Sequence, residues 1–282
     1  MFSYNPFSEL SATISPAIQQ WYVVLMVLLV IGGTILDMVH KKSAKYFFEN
    51  AEKAKKSAKR TVGAGEKAGI AVSVIANEVL TSGEFTNTRR RLSHLLTMYG
   101  TVIFIVTTAW MIFGYSNMPA PTILPVLWHI GALMLAVGGY WFWFSIRVDV
   151  SAEGLPWFRF ERADLFILSL LAMATFGLIW SWVQAASGMN AWTWLFFALF
   201  VISSTTLFGT VLWSKFAHMF FKPAAAYQKR VTRADGSREN LPLRYDLTDP
   251  EVQAKFPDIP EYMGKNPPYM GKGIRREKAS HY

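Results

Sequence analysis

Hydrophobic residues in this chain run in long unbroken blocks rather than in alternation with polar ones. Five blocks stand out, at residues 19–39, 94–115, 122–145, 164–184 and 190–213. A hydrocarbon core of ~30 Å is crossed by ~20 residues of helix. Each block reaches that length with a centre almost free of charge, and each is far too long for a buried strand. The pattern predicts an all-α membrane protein with five transmembrane helices. Polar stretches divide the rest into an outer amino-terminal segment (1–18), a basic loop (40–93), a short turn (146–163) and a tail (214–282).

The first block has the length of a signal peptide but not its flanks. Glu9 is the only charged side chain in the first 36 residues, and "DMVHKKSAK" follows where a cleavage site would stand. The block is therefore expected to be retained.

Charge then sets an orientation. Of the 28 Lys and Arg residues, 12 lie between 38 and 93, three between 146 and 163, and 13 from Lys215 onward. The connections "SNMPAPT" and "AASGMN" have none. The positive-inside rule predicts an outside amino terminus and a cytoplasmic carboxyl terminus. Topology accounts for the net charge of +9, so no nucleic-acid partner is expected. With no cysteine in the chain, thiolate-held iron–sulfur clusters, c-type haem attachment and disulfides are excluded here.

The basic loop starts "HKKSAKYFFENAEKAKKSAKR", helix-forming with one sticky face at Tyr46, Phe47, Phe48 and Ala51. It can lie on the membrane surface. "GAGEKAG" is expected to break it, and "IAVSVIANEVL" to form a second interfacial helix. A charged loop drawn to anionic lipid and a docking surface remain equal alternatives. The third block ends in "GGYWFWFSIRVD", an aromatic belt leading to Arg147, expected to snorkel. The tail after Pro223 has little periodicity and carries "YMGK" twice. It is either disordered or laid across a partner.

Chemistry rests on the five histidines. His281 and His40 are expected to be solvated, and His129, in "LPVLWHIG", to be an interfacial anchor. His94, in "RRRLSHLLTMYG", opens the second block, and His218, in "WSKFAHMFFKP", follows the fifth on the same side. Two neutral imidazoles on facing helices are the usual axial ligands of a b-type haem. Arg89, Arg90, Arg91, Lys215 and Lys222 would match its propionates. Two interface anchors would explain the same histidines equally well.

"RRRLSHLLTMYG" together with "WSKFAHMFFKP" resembles the cytochrome b membrane subunits of the nitrate reductase gamma type, over roughly residues 20–230. That resemblance implies a multi-pass protein of a prokaryotic cytoplasmic membrane. It matches His94 and His218 to the ligands of an inner haem. The positions of the outer ligands are Phe104 and Phe200, ~15 Å and ~27 Å along the helices from these histidines. Phenylalanine cannot ligate iron, so at most one b haem is expected, with aromatic side chains in the other's place. In overall form the chain is most similar to the membrane anchors of dissimilatory adenylylsulfate reductase.

The resemblance further implies electron exchange between a soluble cytoplasmic iron–sulfur flavoenzyme and a membrane quinone. Arg91, Tyr99, Lys215 and His218 are candidate quinone-side groups. Coupling without an outer haem is expected to be electroneutral. The competing reading is a haem-free anchor that tethers the enzyme and binds quinone at the same histidines. A small transporter has little behind it, since the centres of the blocks offer no ionisable path.

Overall fold

The computed structural model describes residues 2–40, 43–85, 87–150, 152–238 and 247–264. Every regular element among them is helical. Five helices are long and apolar enough to cross a membrane, and they cover the five hydrophobic blocks. These are α2 (Pro16–His40), α5 (Thr88–Gly114), α6 (Ile123–Trp141), α7 (Leu165–Ser187) and α8 (Ala191–Gly209). A short helix, α1 (Pro6–Leu10), precedes them; α3 (Ser43–Lys56) and α4 (Ala64–Val74) fill the basic loop. Past the bundle come α9 (His218–Ala234), α10 (Pro250–Lys255) and α11 (Asp258–Met263).

The tightest joint is between α5 and α6. A Cβ on Gly100 would stand 2.4 Å from the Leu135 amide nitrogen and 2.7 Å from the Gly131 carbonyl oxygen. Only a residue without a side chain lets the two backbones approach this closely, the usual route to helix packing where lipid gives no hydrophobic drive. Ser93 closes the same seam by donating to the Gly138 carbonyl at 2.8 Å. Helix α2 is packed far less: 11% of its apolar window is buried, against 50% in α6.

At one end of the bundle α1 forms a plug. Phe7 meets Trp180 and Trp128 edge-on at 5.3 and 6.0 Å, and Gln184 donates to the Pro6 carbonyl at 3.0 Å. Beneath it lie Phe104 and Phe200, 6.3 Å apart and both buried, with Phe200 stacked on Trp180 at 5.5 Å. Gly177 is the small residue that admits both phenylalanine rings. His129, expected to be an interfacial anchor, is buried beside this cluster. Its Nδ1 meets the Pro125 carbonyl at 2.7 Å and its Nε2 meets Ser181 Oγ at 2.9 Å, so both ring nitrogens are taken.

The opposite end, which we call the basic end, departs from the sequence reading in four places. "GAGEKAG" begins a helix rather than breaking one. Gly63 is its extended N-cap and Glu66 sits in the first turn, where the helix dipole favours an acid. Helix α8 stops at Gly209, short of 213. The tail does not lose its order at Pro223, because α9 runs through that residue. In the second turn the proline removes the bond to the Met219 carbonyl and its ring crowds that carbonyl, a strain the helix bears near its start. In exchange α9 docks on the basic loop: Arg230 donates to Ser73 Oγ and Glu78 Oε1, each at 2.6 Å. Asp235 O accepts from the backbone of Lys59 and Arg60 at 2.8 and 3.2 Å.

The fourth departure is Arg147, expected to snorkel and in fact fully buried. Its guanidinium donates to the carbonyls of Leu155, Pro156 and Arg159 and to Asp164 Oδ2, the last at 2.6 Å. It also lies 4.2 Å over the Trp143 ring. An arginine fork saturates the carbonyls of a tight turn in a way no water could at that depth.

Candidate functional site

Helix α4 continues as a wider turn of helix over Ile75–Leu80, and the chain then reverses to enter α5. The reversal is fixed locally. Gly83 N–H donates to the Asn77 carbonyl at 2.7 Å, Ser82 adopts φ +48°, and Asn87 caps α5 through the Arg89 and Arg90 amides. Two further bonds hold this loop on α5. Tyr99 donates from its hydroxyl to the Leu80 carbonyl, and Arg91 from Nε to the Thr81 carbonyl, both at 2.7 Å. The hydroxyl of Tyr99 and the Nε of Arg91 are thereby committed to structure.

The loop brings Ser82 to His94. Ser82 Oγ lies 2.9 Å from His94 Nδ1 and is wholly buried. Phe85 packs on the imidazole with ring centres 5.0 Å apart, and Arg90 and Lys222 lie over the Phe85 ring at 5.3 and 5.4 Å from its centre. Lys222 also pairs with Glu84 at 2.9 Å.

His218 comes from the first residue of α9, not from the end of a membrane span. The chain turns over residues 210–217, and His218 Nδ1–H donates to the Lys215 carbonyl. Phe166 meets its ring edge-on at 5.6 Å. Burial pushes His218 below the ordinary imidazole range. The ammonium groups of Lys222 and Lys215 press the same way, against the Lys215 carbonyl and Glu84. His218 and His94 lie within electrostatic reach of one another and of the same two charges, Glu84 and Lys222.

The two imidazoles thus have a common arrangement. Each has Nδ1 held, by a hydroxyl in one case and a carbonyl in the other, and among the described residues neither Nε2 meets a hydrogen-bond partner. At His218 the carbonyl puts the proton on Nδ1 and leaves the lone pair on Nε2. At His94 the same tautomer holds when Ser82 Oγ accepts. That is the state of a metal-ligating histidine with its outer partner in place. Two such imidazoles are the donors that one b haem would need at this end. A second does not fit at the plugged end, where Phe104, Phe200, Trp128 and Trp180 fill the interior. Among the described residues no group of three or more His, Cys, Asp or Glu side chains could hold a bare metal ion.

Of the other expected residues, Arg89 is exposed, Arg90 faces Glu153 at 4.0 Å, and Lys215 extends into solvent above His218. His40 is exposed beside a shallow cavity of about 250 Å³ with Arg162, Leu212 and Trp213. His281 and both "YMGK" copies lie wholly or partly outside the described residues. Ser82, Glu84 and Phe85 were not singled out from sequence; the one signal for them is the turn-forming "TSGEFTN" just before the arginines.

An apolar cleft of about 460 Å³ opens between α2, α5 and α8. Its walls include Ile18, Val27 and Ile31 on α2 and Ile105, Thr108 and Ala109 on α5. It reaches the plug at Phe7 and Leu10 and, at the basic end, Phe216, Met219 and Phe220.

No known protein family, curated protein or solved structure matches this chain.

Proposed function

We propose that the chain is a membrane anchor that carries electrons between a soluble redox enzyme and the quinone pool, with at most one b haem. The enzyme would be an iron–sulfur flavoenzyme of the adenylylsulfate reductase kind, docked on the cytoplasmic face. The observation that carries this reading is the paired arrangement of His94 and His218 at the basic end, each with Nδ1 held and, among the described residues, Nε2 unpartnered. The basic end would face the cytoplasm of a prokaryotic cell.

His94 and His218 would hold the haem, and Lys215, Arg89 and Arg90 would meet its propionates. Such a group supplies one-electron transfer between partners that exchange different numbers of electrons. Ser82 and the Lys215 carbonyl hold both rings in orientation, and the carbonyl also sets the His218 tautomer. The folded loop α3–α4 and α9 offers a basic platform on which the soluble partner would sit. Phe85 at 5.0 Å from His94 favours a second reading, in which the histidines meet a quinone ring directly and the chain is a haem-free anchor.

A dithionite-reduced minus oxidised spectrum of the purified protein tests both. One b haem per chain, lost in His94→Ala and in His218→Ala, is the expected outcome. Absence of haem in the native complex selects the second reading. Pull-down of an unrelated enzyme from native membranes would remove adenylylsulfate reductase as the partner.

A further inference from the structure

We propose that the cleft between α2, α5 and α8 is a seat for the long isoprenoid tail of a quinone whose ring sits at the His94–His218 cluster. This rests on the quinone reading above and adds to it where the tail lies.

The first argument is alignment. At about 100° per residue, His94 and Ile105 fall within ~20° of one another around α5, and His94 and Ile112 coincide. Thr108 lies within the same stripe. His94 therefore lies on the face of α5 that lines the cleft from Phe104 onward, ~15 Å along the helix. Met219 and Phe220, which close the cleft at that end, directly follow His218 in the chain. The residues that follow His218 thus form one end of the apolar groove.

The second argument is length. Along α2 the lining runs from Ile18 to Ile31, ~20 Å at the rise of an α-helix. Half a hydrocarbon core is only ~15 Å. The cleft also continues past both ends of that stretch, to the plug and to Phe220. A phospholipid tail anchored in either headgroup layer ends near the bilayer centre. A polyisoprenoid chain attached at one mouth crosses it. The groove fits the longer occupant.

Affinity for such a tail comes from shape and dispersion contact, because the tail is equally out of water in lipid. The expected gain is correspondingly modest. In lipid nanodiscs, the full-length protein should bind a long-tailed menaquinone about tenfold more tightly than menadione, the same ring without a tail. Ala109→Phe or Val27→Phe, each filling the cleft from one wall, should abolish that difference and leave menadione binding unchanged. The two variants come from different helices, so a folding failure in one leaves the other. Val106→Phe, exposed on α5 and outside the cleft, should change nothing.

Equal affinity for the two quinones, or a tail preference that survives both cleft-filling variants, overturns the proposal. If menadione binding still depends on His94 in that case, the quinone reading stands without it. If neither quinone binds and only phospholipid is recovered from the purified protein, both readings fall together.

Discussion

Ser82 holds a left-handed backbone conformation, φ +48°, at a wholly buried position. A non-glycine residue there stores of order 1–3 kcal/mol, and its hydroxyl holds His94 Nδ1. The two effects separate by substitution. Ser82→Gly relieves the backbone but removes the hydroxyl, so the unfolding midpoint should hold or rise while haem or quinone retention falls ~10- to 100-fold. Ser82→Ala keeps the strain and loses the bond, and should weaken both. Titrated cofactor retention alongside a denaturation curve reads each. At Arg147 the outcome is one of stability alone. Arg147→Met leaves Asp164 without the guanidinium and the Leu155, Pro156 and Arg159 carbonyls without their donor, and should cost ~3–5 kcal/mol. The double variant with Asp164→Leu should recover only the part due to the buried charge. His94 and the three arginines were legible as a group because a cluster of cations beside an apolar block is local in sequence. Ser82, Glu84 and Phe85 were not, since their contact with His94 exists only after the loop has folded back on α5.

Elements read from hydrophobic blocks came out well where the block is the whole reason for the helix. All five spans are present, with ends shifted by a few residues. The largest shift is at α5, which starts at Thr88 because Asn87 caps it through two amides, ahead of the apolar run. What the blocks could not convey is the folded basic end. Helix α9 is amphipathic rather than apolar, and its partners are Ser73 and Glu78, some 150 residues earlier. Its first residue also gives the element a pH response. His218 sits below the ordinary imidazole value of 6.5, with Lys215, Lys222 and Glu84 as the charges that face it. A lowered folded value means that the unfolded segment binds the proton more readily. Stability of the docked α9 start is therefore complete above about pH 6.5 and is lost as pH falls through the lowered value. Hydrogen exchange of residues 218–222, corrected for intrinsic rate, should accelerate between about pH 7.5 and 5.5. His218→Gln should flatten that response. At the α5–α6 seam, Gly100→Leu drives a side chain into backbone that cannot yield. It should destabilise by at least ~1–3 kcal/mol, visible as a lower melting temperature in detergent.

For the whole molecule, the two ends of the bundle differ in kind. One is sealed by α1 over a packed aromatic interior, and the other gathers the histidines, the cations and one end of the cleft. Under the proposed function, electrons and protons then enter and leave on the same side. Purified complex in liposomes should turn over quinone without building a membrane potential, and a potential sensitive to uncoupler would contradict that arrangement.

The light packing of α2 bears also on biogenesis. Helix α2 is made early, yet its neighbours in the cleft, α5 and α8, follow it, and the plug must wait for Trp128 and Trp180. The stretch from His40 to Gly209 is roughly 170 residues, which a ribosome adding ~5–20 residues per second covers in ~10–30 s. Through the first part of that interval the first span has only lipid for company, and from then until α8 follows it has α5 on one side alone. A nascent chain arrested before α8 would therefore carry a half-claimed helix, the form that membrane proteases should recognise first.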